Sequence, residues 1–194
     1  VAASDELFCY DRNFQIKRSF KNRYLKHCHE IIRKGRRLFL TSTGFDSILA
    51  FNLDTRSYEW GFRLTRAYGL WDGYNFDPRM NNGPAAVNDF HINAVHVSDS
   101  GIYLSGLHTQ ACLHLDRDSN ISEYCSLPAG VHNARPWQDG VLFNDTKNNA
   151  VRHVSRDGEQ AAFRIKTYAE DDIEFAGIDD TKVARQGFGR GLCV

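Results

Sequence analysis

Short stretches in which apolar and polar residues alternate follow one another along most of the chain. Examples are RLFLTST, GIYLSGL and GVLFNDT, which begin at Arg37, Gly101 and Gly140. A period of two places every second side chain on one face of an extended strand, and aromatic and β-branched residues favour strands. No long stretch has the 3.6-residue period of an amphipathic helix. The pattern therefore predicts an all-β fold made of many short strands.

A polar turn that follows an apolar strand recurs along the sequence. It occurs at Asp11, Asp54, Asp116 and Ser155, at intervals of 43, 62 and 39 residues. The middle interval is long because a segment rich in glycine, asparagine and aromatic residues, Thr65–Asp89, is inserted there. Without this insertion the three intervals are all close to 40 residues. The chain therefore contains an internal repeat of about 40 residues.

Each repeat contains four short strands separated by turns. In the unit that follows the insertion, the four strands are NAVHVS, GIYLSGL, ACLHLD and ISEYCSL. Units of about 40 residues with four strands each are typical of β-propellers, whose blades stack around a central axis because one sheet cannot bury both of its faces alone. A β-sandwich also contains many short strands, but the regular interval favours the propeller.

The two ends of the chain each resemble an incomplete unit. Residues 1–20 supply later strands without a first strand, and GFGRGLCV at the other end resembles a first strand alone. Two interpretations follow: the ends join into one blade and close a ring of about four blades, or the chain is part of a larger propeller. Under either interpretation residues 1–194 are expected to form a single β-propeller domain.

Composition narrows the classes of function. The 194 residues carry 24 basic and 24 acidic side chains, so the formal net charge is zero. There is no basic field for nucleic acid and no polybasic cluster for a membrane surface. There is also no apolar run long enough to span a bilayer. We expect neither nucleic-acid binding nor membrane association, and the oligomeric state is left open.

The five cysteines are expected to be free thiols in a cytoplasmic protein. They are scattered along the chain without a CxxC pair or zinc-finger spacing, and their number is odd: Cys9, Cys28, Cys112, Cys125 and Cys193. Most lie inside apolar stretches, where a buried thiol behaves as a small apolar residue.

Several stretches resemble a known family in order and spacing. They are HEIIRKGRRLFLTST, FHINAVHVSDSGIYLSGL, HNARPWQDGVLFNDTKNNAVRHV and GFGRGLCV, and they extend from about His27 to Val194. Together they resemble a family of uncharacterised bacterial proteins with a propeller architecture, loosely similar to propellers of the strictosidine-synthase and gluconolactonase types. The resemblance implies the fold but no known reaction. Members of that family are usually longer and continue past the RGL motif, which favours the larger propeller.

Alignment of the units on their second strands brings polar residues of the first strands into one register. His29, Asn93, His132 and Arg190 take equivalent positions. His27 and His91 lie two residues earlier on the same strand face, where the third unit has a glycine. Because first strands line the channel of a propeller, we predict a polar ring of His29, His91, Asn93, His132 and Arg190 in that channel.

Such a ring is compatible with several chemistries. Neutral imidazoles are common metal ligands, so His29, His91 and His132 could hold a divalent metal ion. A histidine beside an arginine could instead bind a carboxylate or phosphate, or act as a general base. The register of Glu30 argues against an inward-facing carboxylate. A purely structural ring, in which the polar groups satisfy one another, is the alternative.

Other candidate features have weaker support. The insertion loop, residues 65–89, ends at the channel mouth, where its aromatic residues could cover a small ligand, pack as a lid or form an oligomer contact. The acidic segment 171–180 is interpreted as a solvated loop. The remaining histidines are interpreted as surface or inter-blade residues: His96, His108, His114 and His153.

Two classes of function therefore stay open. The first is a propeller that binds a small molecule or metal ion at its channel, with a hydrolase or lyase reaction as one option. The second is a non-catalytic scaffold that binds a protein partner and whose polar channel is structural. The sequence names neither a substrate nor a partner, and it leaves open whether the protein is an enzyme.

Overall fold

The computed structural model describes residues 1–172 and 186–193 and confirms the all-β prediction. In these residues sixteen strands form four antiparallel sheets, and the only helical segments are two short 3-10 turns. No helix within these ranges is long and apolar enough to cross a membrane. Most of the acidic segment 171–180 lies outside the described residues.

The first two sheets, blades 1 and 2, contain eight strands. Blade 1 consists of β1 (Ala2–Ala3), β2 (Glu6–Tyr10) and β3 (Ile16–Lys21). Blade 2 consists of β4 (Ile31–Lys34), β5 (Arg37–Ser42), β6 (Ser47–Asn52), β7 (Ser57–Ala67) and β8 (Leu70–Phe76). Within each blade, strands adjacent in sequence pair with one another, as the repeat predicts.

The last two sheets, blades 3 and 4, contain four strands each. Blade 3 consists of β9 (Ile92–Val97), β10 (Ile102–Gly106), β11 (Ala111–Leu115) and β12 (Ile121–Ser126). Blade 4 consists of β13 (Val131–Trp137), β14 (Gly140–Asp145), β15 (Ala150–Ser155) and β16 (Gln160–Arg164). These are the two complete units that the sequence pattern predicts after the insertion.

The repeated polar turn has the same hydrogen bond in three blades. The backbone N–H of Asp11, Asp116 and Ser155 donates to the carbonyl oxygen four residues later, at 2.9–3.0 Å. In the two aspartate turns, one carboxylate oxygen also accepts the N–H groups two and four residues later. A short acidic side chain that bonds its own turn holds the two outer strands together. In blade 2 the side chain of Asn52 accepts two such N–H groups instead.

Apolar side chains pack between neighbouring blades in three clusters. Phe51 and Leu7 belong to the cluster between blades 1 and 2, Phe62 and Leu113 to that between blades 2 and 3, and Phe143 to that between blades 3 and 4. Each of these five side chains is at most 2 % exposed. Burial of a large apolar side chain stabilises a fold by about 1.5–3 kcal/mol. The core is therefore divided into layers between sheets, as in a propeller.

The insertion differs from the predicted loop. Its first part continues β7 and turns back as β8, which adds a fifth strand to the outer edge of blade 2. Gly73 in β8 lies so close to Phe62 that an added Cβ would be 2.3 Å from its ring. The segment LWDGYNF has no regular alternation of apolar and polar residues, and its position inside an insertion suggested a loop. Only residues 77–91 form a connection without strands, which leads to the inner strand β9.

The ends of the chain do not form one sheet in the described residues. Residues 186–193 lie in no strand, and the sheet of blade 1 contains only β1, β2 and β3. Instead, the backbone of Gly191 and Leu192 bonds to side chains of β13, because Gly191 donates to Asn133 and Leu192 accepts from Arg135. This terminal segment therefore follows blade 4 along its inner strand.

All five cysteines are free thiols in the structure. Cys112 and Cys125 face each other across β11 and β12 and are both buried. Burial raises the pKa of the Cys28 thiol to about 11, which disfavours the reactive thiolate.

We expect a thiol titration of the denatured, unreduced protein to find all five thiols. The reason is that the in-register pair Cys112 and Cys125 is enclosed between blades and inaccessible to oxidants in the folded protein. Three thiols, with a peptide pair linked through Cys112 and Cys125, would contradict this expectation.

Candidate functional site

The chain enters three inner strands through the same unusual backbone conformation. The residues at this point are His27 (φ 54°), His91 (φ 53°) and Gly130 (φ 84°), all in the left-handed region. The unit alignment placed these three residues in equivalent positions. Left-handed backbone is uncommon for residues other than glycine. The repeated turn directs each chain segment from the rim of the blades into the central channel.

A group of histidines lies where these turns meet, which we call the channel mouth. The rings of His29 and His91 are 5.1 Å apart between centroids and pack edge to face, and the ring of His108 is 6.4 Å from that of His91. His29 is exposed and His91 is half-buried. The amide nitrogen of Asn88 lies 3.2 Å from Nδ1 of His91 and holds the ring in place.

His132 and Arg190 complete the channel mouth from the side of blade 4. The His132 side chain is buried, and its Nδ1 lies 3.2 Å from the Thr146 hydroxyl. Phe188 lies between the two residues: its ring centroid is 6.3 Å from that of His132 and 4.2 Å from the Arg190 guanidinium carbon. Stacking on a ring face orients the planar guanidinium.

The electrostatics of the mouth favour neutral imidazoles. Burial, followed by the charges of Arg190, His29 and His91, lowers the pKa of His132 to about 4. Partial loss of hydration, followed by the effects of His91 and Arg190, lowers the pKa of His29. Burial and then His108 lower the pKa of His91, although Asp46 opposes this change. The mouth is therefore crowded with groups that repel one another when protonated.

Asp46 fixes the backbone that carries His91. Its side chain is fully buried, and its carboxylate accepts the N–H groups of Asp89, Phe90 and His91 at 2.7–3.2 Å. Arg63 lies 3.9 Å from the same carboxylate. Burial raises the pKa of Asp46, while these hydrogen bonds and Arg63 oppose the increase. The end of the insertion is thus tied to blade 2 by one carboxylate.

A buried ion pair lies on the inner strands beneath the mouth. Nη2 of Arg135 is 2.5 Å from Oε1 of Glu30, and both side chains are nearly buried, at 12 % and 6 % exposure. The Glu30 carboxylate also accepts the Val95 N–H at 2.7 Å and the Asn133 amide at 3.1 Å. Burial raises the pKa of Glu30, and Arg135 opposes the increase. The expectation that Glu30 faces away from the channel is therefore wrong.

Arg135 extends this network around the axis. Besides Glu30, it donates to the carbonyl oxygens of Val95 at 2.8 Å and Leu192 at 3.1 Å. One guanidinium therefore connects blades 2, 3 and 4 with the terminal segment. A buried charge is tolerated when its hydrogen-bonding groups are satisfied in this way.

The structure brings most of the predicted ring together, but Asn93 is elsewhere. His29, His91, His132 and Arg190 influence one another electrostatically at the mouth. Asn93 is only 1 % exposed and donates its amide to the Val131 carbonyl at 3.0 Å, so it joins blades 3 and 4. The pairing of β9 with β10 shifts register at Asn93, at the start of β9. Such a bulge cannot be detected by counting residues along the sequence.

Sequence reasoning missed Arg135, Asp46 and the approach of His108, and it directed Glu30 away from the channel. Glu30 and Arg135 carry opposite charges near the inner strands of two blades, but no local pattern indicates that they pair. Asp46 left no signal either, since its partners are backbone groups 43–45 residues later in the chain. His108 reaches the mouth through a turn between β10 and β11 whose direction the repeat does not specify.

The donor set at the mouth suits a metal ion poorly. Within residues 1–172 and 186–193, no group of three or more His, Cys, Asp or Glu side chains is arranged to hold one. The Arg190 guanidinium, which repels cations, lies beside His132. The arrangement can instead donate several N–H groups to a negatively charged group.

We expect Arg135→Met to lower the free energy of unfolding by about 3–5 kcal/mol, because it leaves the Glu30 carboxylate buried without its counter-ion. Urea unfolding measures the change. The double variant Glu30→Met/Arg135→Met should lose less, since no charge remains buried. The exposed control Arg33→Met should change stability by less than about 0.5 kcal/mol. A loss of that small size for Arg135→Met as well would contradict a structural role for the pair.

We expect Asp46→Asn to lower stability by about 1–3 kcal/mol, because an amide has one acceptor oxygen for the three N–H groups. Hydrogen exchange should show faster exchange of the amides of residues 89–91 than in the unaltered protein. Asp54→Asn, at an exposed aspartate paired with Arg36, is the matched control. Unchanged exchange at residues 89–91 would show that Asp46 does not hold this segment.

The fold is similar to that of solved propeller structures, as the following comparisons show. No family model and no curated protein matches the chain. A streptogramin B lyase structure has a TM-score of 0.52 at 16 % identity, and the match covers 84 % of this chain and 48 % of that one. Virginiamycin B lyase from Staphylococcus aureus gives a TM-score of 0.44 at 14 % identity, over 72 % and 42 % of the two chains.

A third similar structure is the Pan2 WD40 domain of Neurospora crassa, with a TM-score of 0.43 at 7 % identity, over 84 % of this chain and 61 % of that one. The chain spans about half the length of the lyase structures it matches. At these identities the likeness concerns the fold alone. The four antiparallel sheets of this chain, together with the match to the streptogramin B lyase structure, confirm the prediction of a β-propeller-like architecture.

Proposed function

We propose that the channel mouth binds a small anionic molecule through its carboxylate or phosphate group. His29, His91, His132 and Arg190 are the residues that would hold this group. The observation that supports the proposal most directly is the charge balance of the mouth. Three imidazoles and a guanidinium converge, and Asp46, the carboxylate that acts on His91, is already bonded to three N–H groups.

An anion would resolve the repulsion within this group. The pKa values of the three histidines are lowered partly by one another and by Arg190. A negative charge between them favours their protonated forms, in which both ring nitrogens donate hydrogen bonds. Arg190 adds a planar fork that fits a carboxylate or phosphate. Binding would therefore be coupled to proton uptake.

The alternative function is a scaffold with a structural channel. The polar network beneath the mouth, which we call the deeper layer, fits that structural role. Glu30, Arg135 and Asn133 satisfy one another there and leave little to bind a ligand. The mouth differs, because the His29 ring makes no hydrogen bond within the described residues and is exposed. We therefore assign the structural role to the deeper layer and the binding role to the mouth.

That the mouth catalyses a reaction, and that it binds a metal ion, are both predictions. Neutral histidines can act as general bases, so a hydrolase or lyase step on the bound anion is compatible with the site. The likeness to lyase structures transfers no mechanism, because propellers carry many unrelated functions. A divalent ion on His29, His91 and His132 is the rival occupant, and the experiment below distinguishes it.

Two finer assignments also remain proposals. The five free thiols favour a reducing compartment, so we propose a cytoplasmic location. Membership of the uncharacterised bacterial family is supported by the quoted motifs alone.

We expect sulfate to bind more tightly as the pH falls from about 7.5 to 5.5. Sulfate keeps its charge over this range, so a change in affinity reports the protein. The histidine pKa values are low in the free protein, and sulfate binding raises them. The affinity for sulfate therefore increases as the pH falls, and it stops increasing once the pH is below the histidine pKa values of the free protein. Each proton taken up on binding increases the affinity by up to about tenfold for each unit by which the pH falls. Calorimetry in two buffers of different ionisation enthalpy measures both affinity and proton uptake.

His132→Ala should weaken sulfate binding and reduce the proton uptake. His153→Ala, at a histidine that packs on Trp137 away from the mouth, is the control and should bind as the unaltered protein does. Sulfate affinity that does not depend on pH or on His132 would refute the anion site. Zn²⁺ binding that is lost in His132→Ala, in a protein that binds no sulfate, would replace the anion with a metal ion.

A further inference from the structure

A second basic depression lies beside the channel mouth. It is an open cleft of about 560 Å³ between blade 1 and the loop that leads to blade 2. Among its lining residues are Asp5, Arg23, Leu25, Lys26, His27 and Phe45. The deepest of them, Leu25 and Phe45, are 2 % and 9 % exposed, so the cleft has an apolar floor and a polar rim. This volume accommodates part of a small organic molecule.

The rim of the cleft carries unbalanced positive charge. Lys21 is paired with Glu6 at 3.6 Å. Within the described residues, the charged groups of Arg23 and Lys26 have no ion-pair partner. Asp5 is the one carboxylate in the lining, so it leaves at least one of these two cations unbalanced.

Packing restricts the stem of Lys26. An added Cβ on Gly44 would be 2.9 Å from Cγ and Cδ of Lys26. The first part of the stem therefore lies directly on the Gly44 backbone, and the residue as a whole is exposed and lines the cleft. A preorganised cation loses less conformational entropy on binding a ligand than a freely moving one.

His27 joins the cleft to the mouth. It lines the cleft, and its charge also acts on His29 and His91. The left-handed backbone at His27 leads directly from the cleft to the inner strand that follows His29. His27 therefore lies between the cleft and the histidines of the mouth.

We propose that the cleft receives a second anionic group of the molecule bound at the mouth, through Arg23 and Lys26. The ligand class is then a small molecule with two separated anionic groups and an apolar or polar spacer. This inference rests on the proposed anion site at the mouth. Two linked contacts bind more tightly than either alone only when the spacer matches the distance between them, so affinity should depend on spacer length.

The test compares butyrate with the dicarboxylates succinate, glutarate, adipate and suberate at pH 6.5 and physiological salt. At least one dicarboxylate should bind about tenfold or more tightly than butyrate, with a clear optimum in length. The double variant Arg23→Ala/Lys26→Ala should lose most of this gain and change butyrate affinity less than about twofold, because the screened charges lie outside the mouth.

Arg12→Ala/Arg18→Ala, which removes two exposed positive charges from blade 1 outside the cleft, is the matched control and should keep the gain. Thermal unfolding of each variant checks that the fold is retained. The second subsite would be refuted if the double variant lost equal affinity for butyrate and for the dicarboxylates, or if the gain in affinity of the dicarboxylates did not depend on their length. Neither result would contradict the anion site at the mouth. If neither sulfate, butyrate nor any dicarboxylate binds the unaltered protein, the proposed function fails together with this inference.

Discussion

The contact on which the arrangement of the blades depends is the buried pair of Glu30 and Arg135. Glu30 precedes the inner strand of blade 2 and Arg135 belongs to that of blade 4, yet the two meet across blade 3. Each charge loses hydration on burial, and the bonds to Val95, Asn133 and Leu192 offset that loss. Apolar layers between blades are not directional, whereas this network joins three inner strands in one geometry. It accordingly fixes the channel to which the histidines are attached.

The channel consequently has two layers with different physical character. In the deeper layer opposite charges neutralise each other and are enclosed. At the mouth, positively charged or ionisable groups converge, and the carboxylate of Asp46 is used to hold backbone N–H groups. Burial, followed by the charge of Arg190 and the neighbouring histidines, lowers the pKa of His132 to about 4. The basic cleft beside His27 extends the same imbalance toward blade 1.

Three features show how far the local pattern of the sequence predicts the structure: the polar turns, the hairpin of β7 and β8, and the polar residues of the inner strands. The turns at Asp11 and Asp116 were identified from the sequence because a carboxylate that bonds its own turn is a local arrangement. The hairpin of β7 and β8 was missed because an interruption of the repeat suggested a loop. Asn93 was assigned to the channel by counting residues, and the irregular register of β9 places it between blades instead. Glu30 was misplaced for a different reason, because its partner Arg135 lies 105 residues away in the sequence.

By itself the sequence determined the strands, the 40-residue repeat, the propeller fold and the expectation that polar residues near the inner strands meet, among them His29, His91, His132 and Arg190. That expectation follows from the repeat, because equivalent positions in successive blades approach a common axis. The tertiary structure decided which polar residues pair and which remain available to a ligand. His91 rather than Asn93 lies beside His29, His108 joins the mouth, Glu30 is neutralised by Arg135, and the cleft of Arg23 and Lys26 opens beside His27. Charge pairing depends on distances between segments that are remote in sequence, and a one-residue bulge changes those distances without changing the hydrophobic pattern.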